Sequence, residues 1–98
     1  MKKIEPQLKT GEAKQLYKTM AAITDSDETA CFLRDLFTVE ELDEAVRRFE
    51  VAQMLTDKKT FREITRKTKM SSTTIARINY WLHHGTGGYR IALKDTEK

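Results

Sequence analysis

The sequence predicts an all-α fold of about six short helices. Apolar residues recur at three- and four-residue spacings through most of the 98 residues, the period of one helix face. Hydroxyl and acidic residues sit where helices would start. No segment alternates apolar and polar residues with β-branched enrichment, so no strand is placed.

The elements follow in order. A first helix is expected over residues 12–23, with Leu16, Tyr17, Met20 and Ile23 on one face. Ile4 and Leu8 extend that stripe upstream, where Pro6 limits any earlier helix. The polar cluster 24–27 ends it, and Asp25 with Glu28 forms a capping pair for the next helix. That short helix carries Cys31, Phe32, Leu33, Leu36 and Phe37, with Cys31 expected to be a small buried hydrophobe. Thr38-Val39-Glu40-Glu41 is a capping box. It opens a longer helix to about residue 55, with Leu42, Ala45, Val46, Phe49, Ala52 and Met54/Leu55 as its stripe. Residues 56–59 read as a loop. Helices over 61–67 and 72–84 follow, joined by a tight connection at 68–71. Gly85 suits the position just past a helix end, and Gly85-Thr86-Gly87-Gly88 reads as a hinge. A tail helix over 89–93 completes the series, and the last five residues are expected to fray.

Composition excludes several classes. A single cysteine, Cys31, forms no disulfide framework. No apolar run approaches the ~20 residues of a spanning helix. Lys2-Lys3-Ile4 runs into Glu5-Pro6-Gln7, so no secretory signal segment is expected. These features predict a cytoplasmic chain that is one domain over 1–98, with no membrane partner. Its core is modest enough that a second subunit is expected to bury further surface.

Charge is uneven. Residues 1–56 hold 8 Lys/Arg against 11 Asp/Glu, whereas residues 57–98 hold 10 against 4. Between Lys58 and Arg90 there are 8 basic residues and one acid, Glu63. That asymmetry suggests a polyanion-binding half on a neutral-to-acidic scaffold.

The segment 60–82 carries the most information. Two short helices separated by three or four residues must cross steeply to bury their apolar faces. Phe61 and Ile64 face inward from the first, Met70 plugs the turn, and Ile75, Ile78 and Leu82 recur along the second. Small Thr65 allows the helices to approach. The opposite face of the second helix then presents Thr73, Ala76, Arg77, Tyr80 and His84. Its start, Ser71-Ser72-Thr73-Thr74, pairs short hydroxyls with the partly positive helix N-terminus, which suits phosphate and base edges. The segment resembles a DNA-binding helix-turn-helix, departing from it at Lys69, where such turns usually carry glycine.

The chain also resembles the Trp repressor superfamily over residues 36–78. The carrying residues are Arg47, Val51, Met54-Leu55, Thr60-Phe61-Arg62-Glu63-Ile64 and Ser72-Thr73-Thr74-Ile75-Ala76-Arg77. The resemblance implies an intertwined helical homodimer of the Trp-repressor type, whose two recognition helices enter successive major grooves of a two-fold symmetric operator. It also implies an effector clamp between Arg47 and Arg77. The family's pocket requires glycine after the second arginine and a small serine three residues further on. Here Ile78 and Trp81 occupy those places. Overlap of that size excludes a ligand, so tryptophan is not expected as corepressor.

Other chemistry is sparse. His83 and His84 are adjacent and point apart, and no second cluster completes a metal site. No cofactor is expected. Gly85–Gly88 follows a helix and lacks the Lys-Ser/Thr ending of a phosphate loop. The aromatics Tyr80, Trp81 and Tyr89 fit a core or subunit interface better than a stacking platform.

The expected function is a non-enzymatic, sequence-specific transcriptional regulator, a repressor, binding double-stranded operator DNA as a homodimer. Residues 1–56 form its dimerisation scaffold, 57–84 its helix-turn-helix, and 85–98 a hinge and short tail helix. Contacts are expected from Lys58, Lys59, Thr60, Arg62, Lys69, Ser71, Ser72, Thr73, Thr74 and Arg77. The alternative is a helical protein–protein interaction module without DNA binding.

Overall fold

The computed structural model describes residues 4–96, the side chains of 95 and 96 excepted. Among them lie a 3-10 turn, Pro6–Leu8, and six α-helices. These are α1 (Gly11–Ala22), α2 (Ser26–Leu36), α3 (Val39–Thr56), α4 (Phe61–Thr68), α5 (Ser72–His84) and α6 (Gly88–Thr96). The described residues include no strand, as the periodicity requires.

Each helix from α1 to α5 starts at a residue whose oxygen accepts an otherwise orphan N–H. Thr10 accepts from Ala13 at 3.1 Å and Asp25 from Glu28 at 2.9 Å. At α3 the box is reciprocal: the Glu41 N–H donates to Thr38 Oγ1 (3.1 Å) and the Thr38 N–H to Glu41 Oε1 (2.9 Å). Thr60 and Ser71 cap α4 and α5.

The chain divides into two compact units, one ending at Asp43 and the other starting at Glu44, within α3. In the first unit neither α1 nor α2 buries a residue. Tyr17 ties the 3-10 turn to α1 by donating to the Leu8 carbonyl at 2.8 Å. Leu16, Phe32 and Leu33 are half-buried, while Tyr17, Met20, Leu36 and Phe37 are exposed. Cys31 is exposed rather than buried. Thr29, Phe32 and Leu33 form the half-covered face of α2, and Cys31 falls beside it.

The second unit holds the core: Val51 and Ala52 of α3, Ile64 of α4, Met70 of the turn, Ile75, Ile78 and Leu82 of α5, and Leu93 of α6. Burying an Ile side chain contributes about 1.5–3 kcal/mol, and Ile64, Ile75 and Ile78 are each wholly enclosed. Three expectations need correction. Val46 is 59% exposed, because it lies about 140° round α3 from Val51. Phe61 shares the inward face of α4 but opens that helix, beyond the buried Ile64–Thr68 pair, and stays 40% exposed. Thr65 is exposed, and the small residue buried on α4 is Thr68.

α5 packs against both α4 and α6. Its last turn ends at Gly85, whose N–H donates to the Trp81 carbonyl at 2.8 Å. Gly85 has φ −82°, so handedness does not demand glycine there. A Cβ would sit 2.5 Å from the Trp81 carbonyl oxygen, so close approach does. The left-handed glycine is Gly87, at φ 94°. α6 is longer than expected, running from Gly88 to Thr96; its Leu93 is buried and its Tyr89 packs on the core. Residues 94–96 are helical, and the remainder of the expected frayed end lies outside the described residues.

Candidate nucleic-acid interface

α4, the residues after it and α5 form a helix-turn-helix built around one buried threonine. The Thr68 hydroxyl donates to the Ile64 carbonyl at 2.7 Å and accepts from the Met70 N–H at 3.2 Å. The Thr68 carbonyl accepts from Arg47 Nη1 of α3 at 3.1 Å. Buried polar groups hold a geometry well when every partner is present, so the turn is pinned from α4, from its own Met70 and from α3. Lys69 turns the chain at φ 64°, ψ 14°, and its N–H donates to the Thr65 carbonyl at 2.8 Å. A non-glycine residue pays strain in that left-handed region. Met70, 7% exposed, fills the elbow as expected.

The hydroxyls near the helix starts divide into two groups. Thr60 is committed to a capping box with Glu63. Ser71 accepts from the Thr74 N–H and donates to Thr74 Oγ1, both at 3.1 Å. Ser72 and Thr73 are exposed and make no side-chain hydrogen bond among the described residues. Their backbone N–H groups belong to the first turn of α5, which carries no acid. That end therefore presents two free hydroxyls and the positive end of a helix dipole.

Beyond this end, Ala76, Arg77 and Tyr80 are exposed while Ile75 and Ile78 are enclosed. The Tyr80 and His84 rings lie 4.9 Å apart on the same face. Arg62, Arg66 and Lys69 are exposed on α4 and the turn, as is Lys59 before α4. Lys67 is also exposed and stands 3.8 Å from Glu50. Lys58 is placed differently. It ends α3 at φ 64° and lines a cavity with Leu82 and Arg90.

The two arginines that resemble an effector clamp have distinct surroundings. Arg47 holds the Thr68 carbonyl, while Arg77 lies on the exposed face of α5. Ile78, where the clamp would need glycine, is a core residue with no exposure, and Trp81 is 42% exposed. The described residues contain no group of three or more metal-ligating side chains. Among them, no helix is long and apolar enough to cross a membrane. Sequence reasoning did not single out Thr68, although a threonine two residues before an inward Met70 is the local signal of a side-chain-to-backbone turn.

Fold and site together define an all-α helix-turn-helix protein. The Trp repressor protein family profile matches residues 11–97, and the chain belongs to that family. It is 34% identical over 93 residues to the uncharacterized protein YerC of Bacillus subtilis (strain 168), covering 92% of this chain and 89% of that one. A crystal structure of a TrpR-like protein from Eubacterium eligens ATCC 27750 superposes with a TM-score of 0.89 at 34% identity, covering 95% of this chain and 96% of that one. A Staphylococcus aureus protein solved as a candidate Trp repressor gives a TM-score of 0.86 at 25% identity, over 93% and 91% of the two chains.

Proposed function

We propose that this protein is a cytoplasmic, sequence-specific DNA-binding transcriptional regulator, a repressor that acts as a homodimer. The observation that carries the reading is the exposed end of α5. Ser72 and Thr73 offer uncommitted hydroxyls there, and Arg77 projects from the face opposite the buried Ile75 and Ile78. In a major groove, Arg77 would read a guanine edge and the hydroxyls base edges or phosphate. Lys59, Arg62 and Lys69 would neutralise backbone phosphates on the flank. Thr60 and Ser71 support this surface by capping the helices that present it, with Thr74 as the partner of Ser71.

A dimer accounts for the first unit, whose helices bury no residue while presenting Tyr17, Met20, Leu36 and Phe37. Burial of such a face is the ordinary driving force of subunit association. Two recognition helices about 34–36 Å apart then match successive grooves. The family's amino-acid corepressor does not follow, because an enclosed Ile78 stands where indole would need space. Titration calorimetry with tryptophan should give no heat of binding, and micromolar binding would contradict this.

The test of DNA binding is a salt titration on a duplex of random sequence, read by fluorescence anisotropy. Affinity should fall steeply with salt, by roughly 0.9 decades per decade of salt for each phosphate contacted. Absence of salt-dependent binding would favour a protein-interaction module instead.

A further inference from the structure

At the far end of α5 from Ser72 lies a cavity of about 330 Å³ between the end of α3, the last turn of α5 and α6. Its apolar wall is Leu55, Leu82 and Leu93, of which Leu82 and Leu93 are core residues at 8% and 5% exposure. Lys58, Arg90 and Lys94 also line it, with His83 beside them. Among the described residues no acid does. The volume falls in the range of small-molecule pockets, and an apolar lining with a few convergent polar groups is their usual chemistry.

Two details mark the cations as placed. Arg90 Nε donates to the Leu82 carbonyl at 3.0 Å, which anchors the guanidinium over the end of α5. Its two terminal nitrogens make no hydrogen bond among the described residues. Lys58 holds φ 64° at the end of α3, where its N–H donates to the Leu55 carbonyl at 3.1 Å and that of Lys59 to the Met54 carbonyl at 3.0 Å. That is a helix-ending pattern in which glycine is free of strain and lysine is not. Lysine there brings a positive charge to the cavity mouth.

We propose that this cavity binds a small amphipathic organic anion, a carboxylate whose apolar body lies on Leu55, Leu82 and Leu93 and whose charged head is held by Arg90, Lys58 and Lys94. A guanidinium anchored at Nε keeps its terminal pair for a carboxylate fork. The site shares no residue with the Arg47 and Arg77 pair, and its test does not depend on DNA binding.

The test is a titration of the full-length protein with octanoate, followed by amide chemical shifts. Octan-1-ol and inorganic phosphate serve as separated halves of the ligand. Octanoate should bind at one site per chain and shift the amides of Lys58, His83, Arg90 and Leu93. It should bind at least tenfold more tightly than either control. The double variant R90M/K94M should weaken octanoate at least tenfold, while K14Q, which removes a charge on α1, leaves it unchanged. K58G should weaken it several-fold and, by relieving the left-handed lysine, raise the melting temperature. This second readout shows that the variant is folded. Equal binding of octanol or of phosphate, shifts clustered elsewhere, or full octanoate affinity in a folded R90M/K94M protein would each overturn the proposal.

Discussion

Single side chains decide how firmly the turn is held and how the core responds to pH. Tyr89 is half-buried against the core, and burial raises its phenol above the ordinary value of 10.0, with the Arg48 charge acting in the opposite direction. The folded state therefore holds the phenolic proton more tightly than the unfolded chain does. Its contribution is fully present below the unfolded-state pKa and is lost as pH rises through the folded-state value. Stability of the wild type should decline above about pH 10. In Tyr89→Phe that decline should be shallower in denaturant melts taken from pH 8 to 11, and equal slopes would show that Tyr89 is not its source. The capping roles of Thr38 and Asp25 were legible because partner and cap lie three residues apart. The role of Thr68 was not, because one of its three bonds comes from Arg47, 21 residues away. Cys31 was misplaced for a related reason: apolar neighbours in sequence do not decide which side of α2 is covered.

Elements were legible where local chemistry sets them. α4 and α5 fall close to where periodicity and the Ser71 start put them, and the buried series Ile75, Ile78, Leu82 is the expected one. α6 was under-read: it starts one residue earlier and ends three residues later than the expected 89–93. Gly85 joins these two cases. Its place after α5 was evident, but the reason, a Cβ 2.5 Å from the Trp81 carbonyl, is a property of the folded backbone. Gly85→Ala should therefore destabilise by about 1–3 kcal/mol, the usual range for forced overlap in a packed region. Thermal denaturation checks this, and an unchanged melting temperature would mean that the last turn of α5 relaxes without cost. Gly87→Ala would be strained for the other reason, its left-handed φ of 94°.

At the scale of the molecule, the division of charge along the sequence follows the order of the elements. The positive half contains the helix-turn-helix, and the acidic half contains α1 and α2, in which no residue is fully buried. The shortness of the chain and its modest core led the sequence reading to expect a second subunit. The exposed Tyr17, Met20, Leu36 and Phe37 now name the surface such a subunit would cover. What the sequence could not show was the cavity at the end of α5, because Lys58, His83, Arg90 and Lys94 come together only through folding.

Groove reading by α5 is most directly tested by comparing wild type with Arg77→Ala on an operator selected from a random duplex library and on an unselected duplex. Arg77 should contribute about 1–3 kcal/mol on the operator and little on the unselected duplex, so specificity falls while non-specific affinity persists. Unchanged operator affinity in a folded Arg77→Ala protein would contradict the placement of α5 in the major groove.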